Sequence, residues 1–151
     1  GTIMFIPNNH DKVKAFEHEQ KIGVLRQELE DAIAVVIEML MKSEVPNKNL
    51  VCRGVTSTFL DYEAISRAIK LSEATPDIIV DPNWKSRLAE AEKDLGCIKT
   101  LPVDLRAVDK VLFCIELFTT HVLNAHIEMM KEFSEGVPEY FKLDTSDSKF
   151  N

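Results

Sequence analysis

Ala32-Ile33-Ala34-Val35-Val36-Ile37-Glu38-Met39-Leu40-Met41 carries one charge in ten positions. A helix that is apolar nearly all round is buried on most sides. Upstream, Ile22, Leu25, Leu29, Ala32, Ile33, Val36 and Leu40 recur three and four apart, so the helix continues toward the N-terminus with a one-sided stripe. It starts after Pro7, with Asn8 or Asn9 as N-cap and Asp11 in the first turn, where a carboxylate suits the helix dipole. It runs to about Ser43, before the Glu44-Val45-Pro46-Asn47 turn, with Gly23 as its weak point.

A second stretch mirrors the first. Val111 to Phe118 is apolar almost all round, and Val108, Val111, Leu112, Ile115, Phe118, Val122, Met129 and Phe133 share one face. This last helix opens at Thr100 or Leu101 before Pro102, with Asp104 in its first turn, and stops at Gly136 and Pro138. The all-round apolar halves are the end of the first helix and the start of the last. An antiparallel pairing sets them side by side.

Between them, Lys48 to Leu60 reads as a loop with a short helical turn. Leu50-Val51-Cys52 and Val55 to Phe59 have β-propensity, but Gly54 splits them. A helix from Asp61 to Ala74 turns Tyr62, Ile65 and Ile69 inward, and Thr75-Pro76 ends it. Asp81-Pro82 opens another, striped by Trp84, Leu88, Ala91 and Leu95, and Gly96 stops it as a left-handed cap. The expected fold is all-α: a bundle of four to five helices, with two long antiparallel terminal helices and two short middle ones. It forms one domain over 1–151, with 1–7 an extension and 137–151 a partly disordered tail.

Length adds a second expectation. A helix of about 33 residues is about 50 Å long. A compact domain of this size has a diameter of about 40 Å. The long helices should therefore overhang, and an overhanging apolar stripe needs a partner. Self-association covers it most simply. The candidate interaction stripe is Ile22, Leu25 and Leu29 with Val122, Met129 and Phe133.

Composition excludes several classes. The net charge of −7, with acids interleaved among lysines as in Glu90, Glu92, Lys93 and Asp94, argues against direct nucleic-acid binding. Three scattered cysteines without a CxxC pair fit neither a disulfide framework nor structural zinc, and suit a reducing cytoplasm. No stretch of about 18 uncharged apolar residues exists to cross a membrane. Met4-Phe5-Ile6 lacks the length and basic flank of a signal peptide.

Chemistry-bearing motifs are sparse. There is no GxGxxG, no GxxxxGK[ST] and no GxSxG. Cys52-Arg53-Gly54 has no base placed beside it, and Trp84 with Leu88 has core spacing. Glu28, Glu30, Asp31 and Glu38 suggest a magnesium-binding all-α hydrolase, but the other helices supply no matching acidic pair. The polar residues in apolar stripes are His18, Glu116, Thr119 and His126. In the antiparallel arrangement His18 and His126 can approach, the raw material of a metal site or an acid–base pair. The ExxH pairs of di-iron bundles are missing. The expectation is therefore a non-enzymatic protein-interaction or regulatory module, homodimeric, without cofactor, metal or catalytic residues. Two alternatives stand beside it: a small enzyme or metal-binding bundle using His18 and His126, and an acidic regulator of a nucleic-acid-binding partner.

Overall fold

A computed structural model describes residues 9–75 and 82–132. Among the described residues the regular structure is helical throughout: α1 (Asn9–Lys42), α2 (Lys48–Ala74), α3 (Trp84–Ile98) and α4 (Leu105–Glu132). The start of the first helix around Pro7 and Asn8, the Asp81 cap, Phe133, Gly136, Pro138 and the two expected terminal segments lie outside the described residues.

The apolar decade quoted above is the centre of the core. Leu29, Ala32, Ile33, Val36 and Leu40 of α1 are buried with Val108, Val111, Cys114 and Ile115 of α4 and with Cys52, Val55 and Phe59 of α2. α1 and α4 run antiparallel along their length. Met39 Sδ accepts from the Asp104 amide at 3.5 Å at one end, and Lys14 pairs with Glu128 at 2.6 Å at the other. α2 returns from α1 alongside α4 and parallel to it, so Lys70 reaches Thr119 and Thr75 reaches His126. Among the described helices the α3 backbone approaches that of α2, with Ala91 against Ile65 and Ala68.

Three expectations are corrected. Lys48 to Leu60 is helix, not loop, and α2 has 27 residues, close to the 28 of α4. One middle helix is therefore long. Cys52, Val55 and Phe59 are buried at helical spacing, and burying that stripe overrides a weak β preference. Gly96 lies inside α3, which runs on to Ile98. Asp104 is not in the first turn of α4 but caps it, its Oδ1 accepting from the Arg106 amide at 2.8 Å. The hydrogen bond from the Arg106 side chain is the main cause of the Asp104 carboxyl lying below its usual range.

The α1–α2 junction is made locally. Ser43 Oγ donates to the Leu40 carbonyl at 2.6 Å, and Lys48 Nζ reaches back to the Met41 carbonyl at 3.1 Å. The Leu40 carbonyl also accepts from the Ser43 amide at 3.1 Å, and the Met41 carbonyl lies where the intrahelical donors run out. Asn47 makes the turn at φ 56°, a left-handed conformation that asparagine tolerates better than most residues.

The overhang exists and is covered within the chain. α2 ends where Thr75 meets His126, while α1 and α4 continue past that level. Ala15 and Ile22 pack on Ala125 and Met129 around that level, and before it, still beside α2, Leu25 packs on Phe118 and Val122. Of the expected interaction stripe, Leu25, Leu29, Val122 and Met129 are buried and Ile22 is half-buried against them. That surface is already occupied by the chain's own helices. No helix among the described residues is long and apolar enough to cross a membrane.

Candidate functional site

The polar residues picked out by their place in the stripes fall into two groups on different faces of α4. On the face toward α2, the Thr119 hydroxyl is fully buried, donates to the Ile115 carbonyl at 2.8 Å and accepts from Lys70 Nζ at 2.7 Å. The same ammonium reaches Thr120 Oγ1 at 3.1 Å and Glu116 Oε2 at 2.9 Å. Its hydrogen bond is the main cause of the Glu116 carboxyl lying below the usual range. Lys70 thus ties α2 to three consecutive polar positions of α4's margin. Two turns on, His126 Nε2 meets Thr75 Oγ1 at 2.9 Å, while its Nδ1 is buried without a hydrogen-bond partner. Burial pushes this imidazole below the usual histidine range.

His18 lies on the face toward α1. Its Nε2 is 2.7 Å from Glu128 Oε2, and its ring sits 5.5 Å from that of His121, tilted by 47°. Lys14 shares Glu128 at 2.6 Å. His121 and Glu128 are seven residues apart and occupy one side of α4. His126 is five positions from His121, about 140° around the helix. His18 therefore pairs with His121 and Glu128, and His126 with Thr75.

Sequence reading passed over Lys14, Lys70 and Glu128. The spacing held the signal: Lys14, His18 and Lys21 share one side of α1, as His121 and Glu128 do on α4. It passed over Glu63 as well. This carboxylate is buried on α2, with Arg67 Nε at 3.4 Å, and one of its oxygens has no hydrogen-bond partner. Burial raises its pKa, opposed by the nearby Arg67 and Arg26.

The remaining chemistry is local. Cys52 is a buried core residue of α2, and Cys114 is buried too, its thiol pushed up by burial. Glu30 pairs with Arg26, Glu38 with Lys42, and Asp31 accepts from Gln27, each one helical turn away. Among the described residues no group of three His, Cys, Asp or Glu side chains is placed to hold a metal ion.

The α1–α4 face that points away from α2 has a different character. Val24 (53%), Val35 (46%), Phe113 (57%) and Leu117 (39%) are exposed on it. A groove of about 390 Å³ runs between the helices, lined by Glu28, Asp31, Ala32, Val35, Ala107 and Lys110.

Fold and site together define an all-α chain whose described residues form four packed helices. Comparison with protein-family profiles, with curated proteins and with solved structures gives no match.

Proposed function

We propose that this chain is a non-enzymatic helical interaction module that pairs with a second copy of itself through the α1–α4 face. The observation that carries the reading is the exposure of Val24 and Val35 on one side of α1 and of Phe113 and Leu117, one turn apart, on α4. Several large apolar side chains exposed on neighbouring helices mark an interaction site more often than a single one does. The charges around it favour a second copy as the occupant. Glu28 and Asp31 form the α1 margin and Lys110 the α4 margin of the same groove. A two-fold axis over the groove brings each acidic margin to the other copy's lysine, with the exposed apolar residues beside them. A two-fold contact requires such self-complementarity.

The two other readings have less behind them. His18 and His126 engage different partners on different faces of α4, which removes the convergence an acid–base pair needs. The paired acids of α1 and α4 fit a solvated, ion-paired surface better than a phosphate mimic. Three free cysteines, two of them buried, fit a reducing compartment.

Sedimentation velocity across a concentration series tests the proposal. The expected result is a reversible dimer that Phe113→Glu with Leu117→Glu converts to monomer, the helical circular dichroism being unchanged. A chain that stays monomeric up to about 1 mM, the weak end of specific association, would sink it.

A further inference from the structure

We infer that the chain's own segment 137–143, outside the described residues, docks on the outer end of the α1–α4 hairpin, on the side where α2 stops short. α2 packs along the hairpin as far as Thr75, which meets His126. Met130 follows His126 by one turn, so it looks out on the same side of α4, past the end of α2. α1 is level with it there, because Ala15 packs in one cluster with Ala125 and Met129. Lys14 and His18 of α1 engage Glu128 across the other side of the hairpin. Phe16 is two residues from each of them, about 160° around α1, and Met130 is two residues from Glu128, about 160° around α4. Phe16 is 57% exposed and Met130 48%. Together they make an apolar shelf where α2 would lie if it continued.

The chain leaves the hairpin beside this shelf. α4 runs to Glu132, two residues past Met130. Val137, Tyr140, Phe141 and Leu143 then follow within seven residues. Residues 133–136 reach about 13 Å when extended, enough to cross the 8–10 Å or so between packed helices. Gly136 and Pro138 are residue types that suit a reversal of direction. The connection from Thr75 to α3 starts at the same level but leads elsewhere. α3 packs on Ala68, about 180° around α2 from the Phe59 that faces α1 and α4. A tethered segment acts at an effective concentration of about millimolar, which favours it over a second copy in dilute solution.

A double-mutant cycle on the full chain tests this. Phe16→Ala should lower the urea midpoint, and Tyr140→Ala with Phe141→Ala should lower it too. All three together should cost no more than the larger of the two losses, because the same contact is removed. A ring open to water would give no change on replacement. Amide exchange gives a second reading. Tyr140→Asp with Phe141→Asp should cut protection at residues 12–20 and 126–132 about tenfold, the effect of uncovering an aromatic side chain, and leave 29–40 as before. A midpoint that ignores Phe16→Ala overturns the inference, and so do losses that simply add. A loss for Phe16→Ala without one for the segment means that another part of the chain covers the shelf, which overturns it as well. So does protection of that end that rises with concentration in the Phe113→Glu, Leu117→Glu chain, where a second copy would be the cover. Phe113 and Leu117 lie outside the shelf, so self-association through their face stands or falls separately.

Discussion

At the residue scale, the side chains that decide most are the ones with a single partner. His126 is 3% exposed and has Thr75 as its hydrogen-bonding neighbour. Thr75 follows directly after the last residue of α2, so this bond fixes where α2 ends against α4. Thr75→Val keeps the shape and removes the hydroxyl, leaving both imidazole nitrogens buried and unsatisfied. Chemical denaturation should show a loss of about 1–3 kcal/mol, the cost of stranding a buried polar group. Thr75→Ser should recover most of it, and equal losses in the two variants would contradict the assignment. His126 was legible in the sequence as a histidine within a buried face. Its partner was not, because Thr75 sits 51 residues away and helical periodicity carries no information about which element lies opposite. His18 and His121 illustrate the same limit. An antiparallel pairing narrows the choice of partner, but His121 and His126, five positions apart, face different neighbours.

At the element scale, α1 and α4 were legible because their stripes are long and strongly apolar. The first half of α2 was not. Its β-branched residues and Gly54 pointed away from helix, and local preference was outweighed by burial of Cys52, Val55 and Phe59 in the shared core. Thr58 meanwhile turns its hydroxyl onto the Gly54 carbonyl at 2.9 Å, satisfying itself within the helix. Helical continuity has a measurable consequence at three glycines. Gly23, Gly54 and Gly96 all lie inside helices, and a Cβ at each would meet nothing within 4 Å. Replacing any of them by alanine should raise stability by about 0.5–1 kcal/mol, since glycine loses more backbone freedom on folding. A drop in stability for Gly96→Ala would mean that α3 stops there in a left-handed turn after all. A drop for Gly54→Ala would argue against the single long α2.

At the scale of the whole molecule, buried titratable groups pull stability in opposite directions as pH changes. His121 and His126 both have pKa values pushed down by burial. The folded chain thus binds fewer protons there than the unfolded one. Their contribution is fully present above the unfolded histidine value of about 6.5 and is lost as pH falls below it. Glu63 has the opposite sign. Its pKa is raised, so its contribution is present below the unfolded glutamate value of about 4.3 and is lost as pH rises toward the folded value. Glu38, Glu116 and Glu128 are lowered, but Glu38 and Glu116 are largely exposed and Glu128 partly so, and they contribute little. The histidines therefore govern the weakly acidic side of neutrality, and Glu63 sets a competing slope that begins lower. Urea midpoints taken between about pH 7.5 and about pH 5 should fall with acidification, and His126→Gln should flatten that slope whatever it does to the absolute midpoint. Glu63→Gln should remove the opposing slope that begins above the unfolded glutamate range, because the carboxyl that opposes the histidines is then gone. A midpoint that rises on acidification in the parent chain would mean that Glu63 outweighs both histidines, and that the polar centre of this fold is the α2 carboxylate rather than the imidazoles of α4.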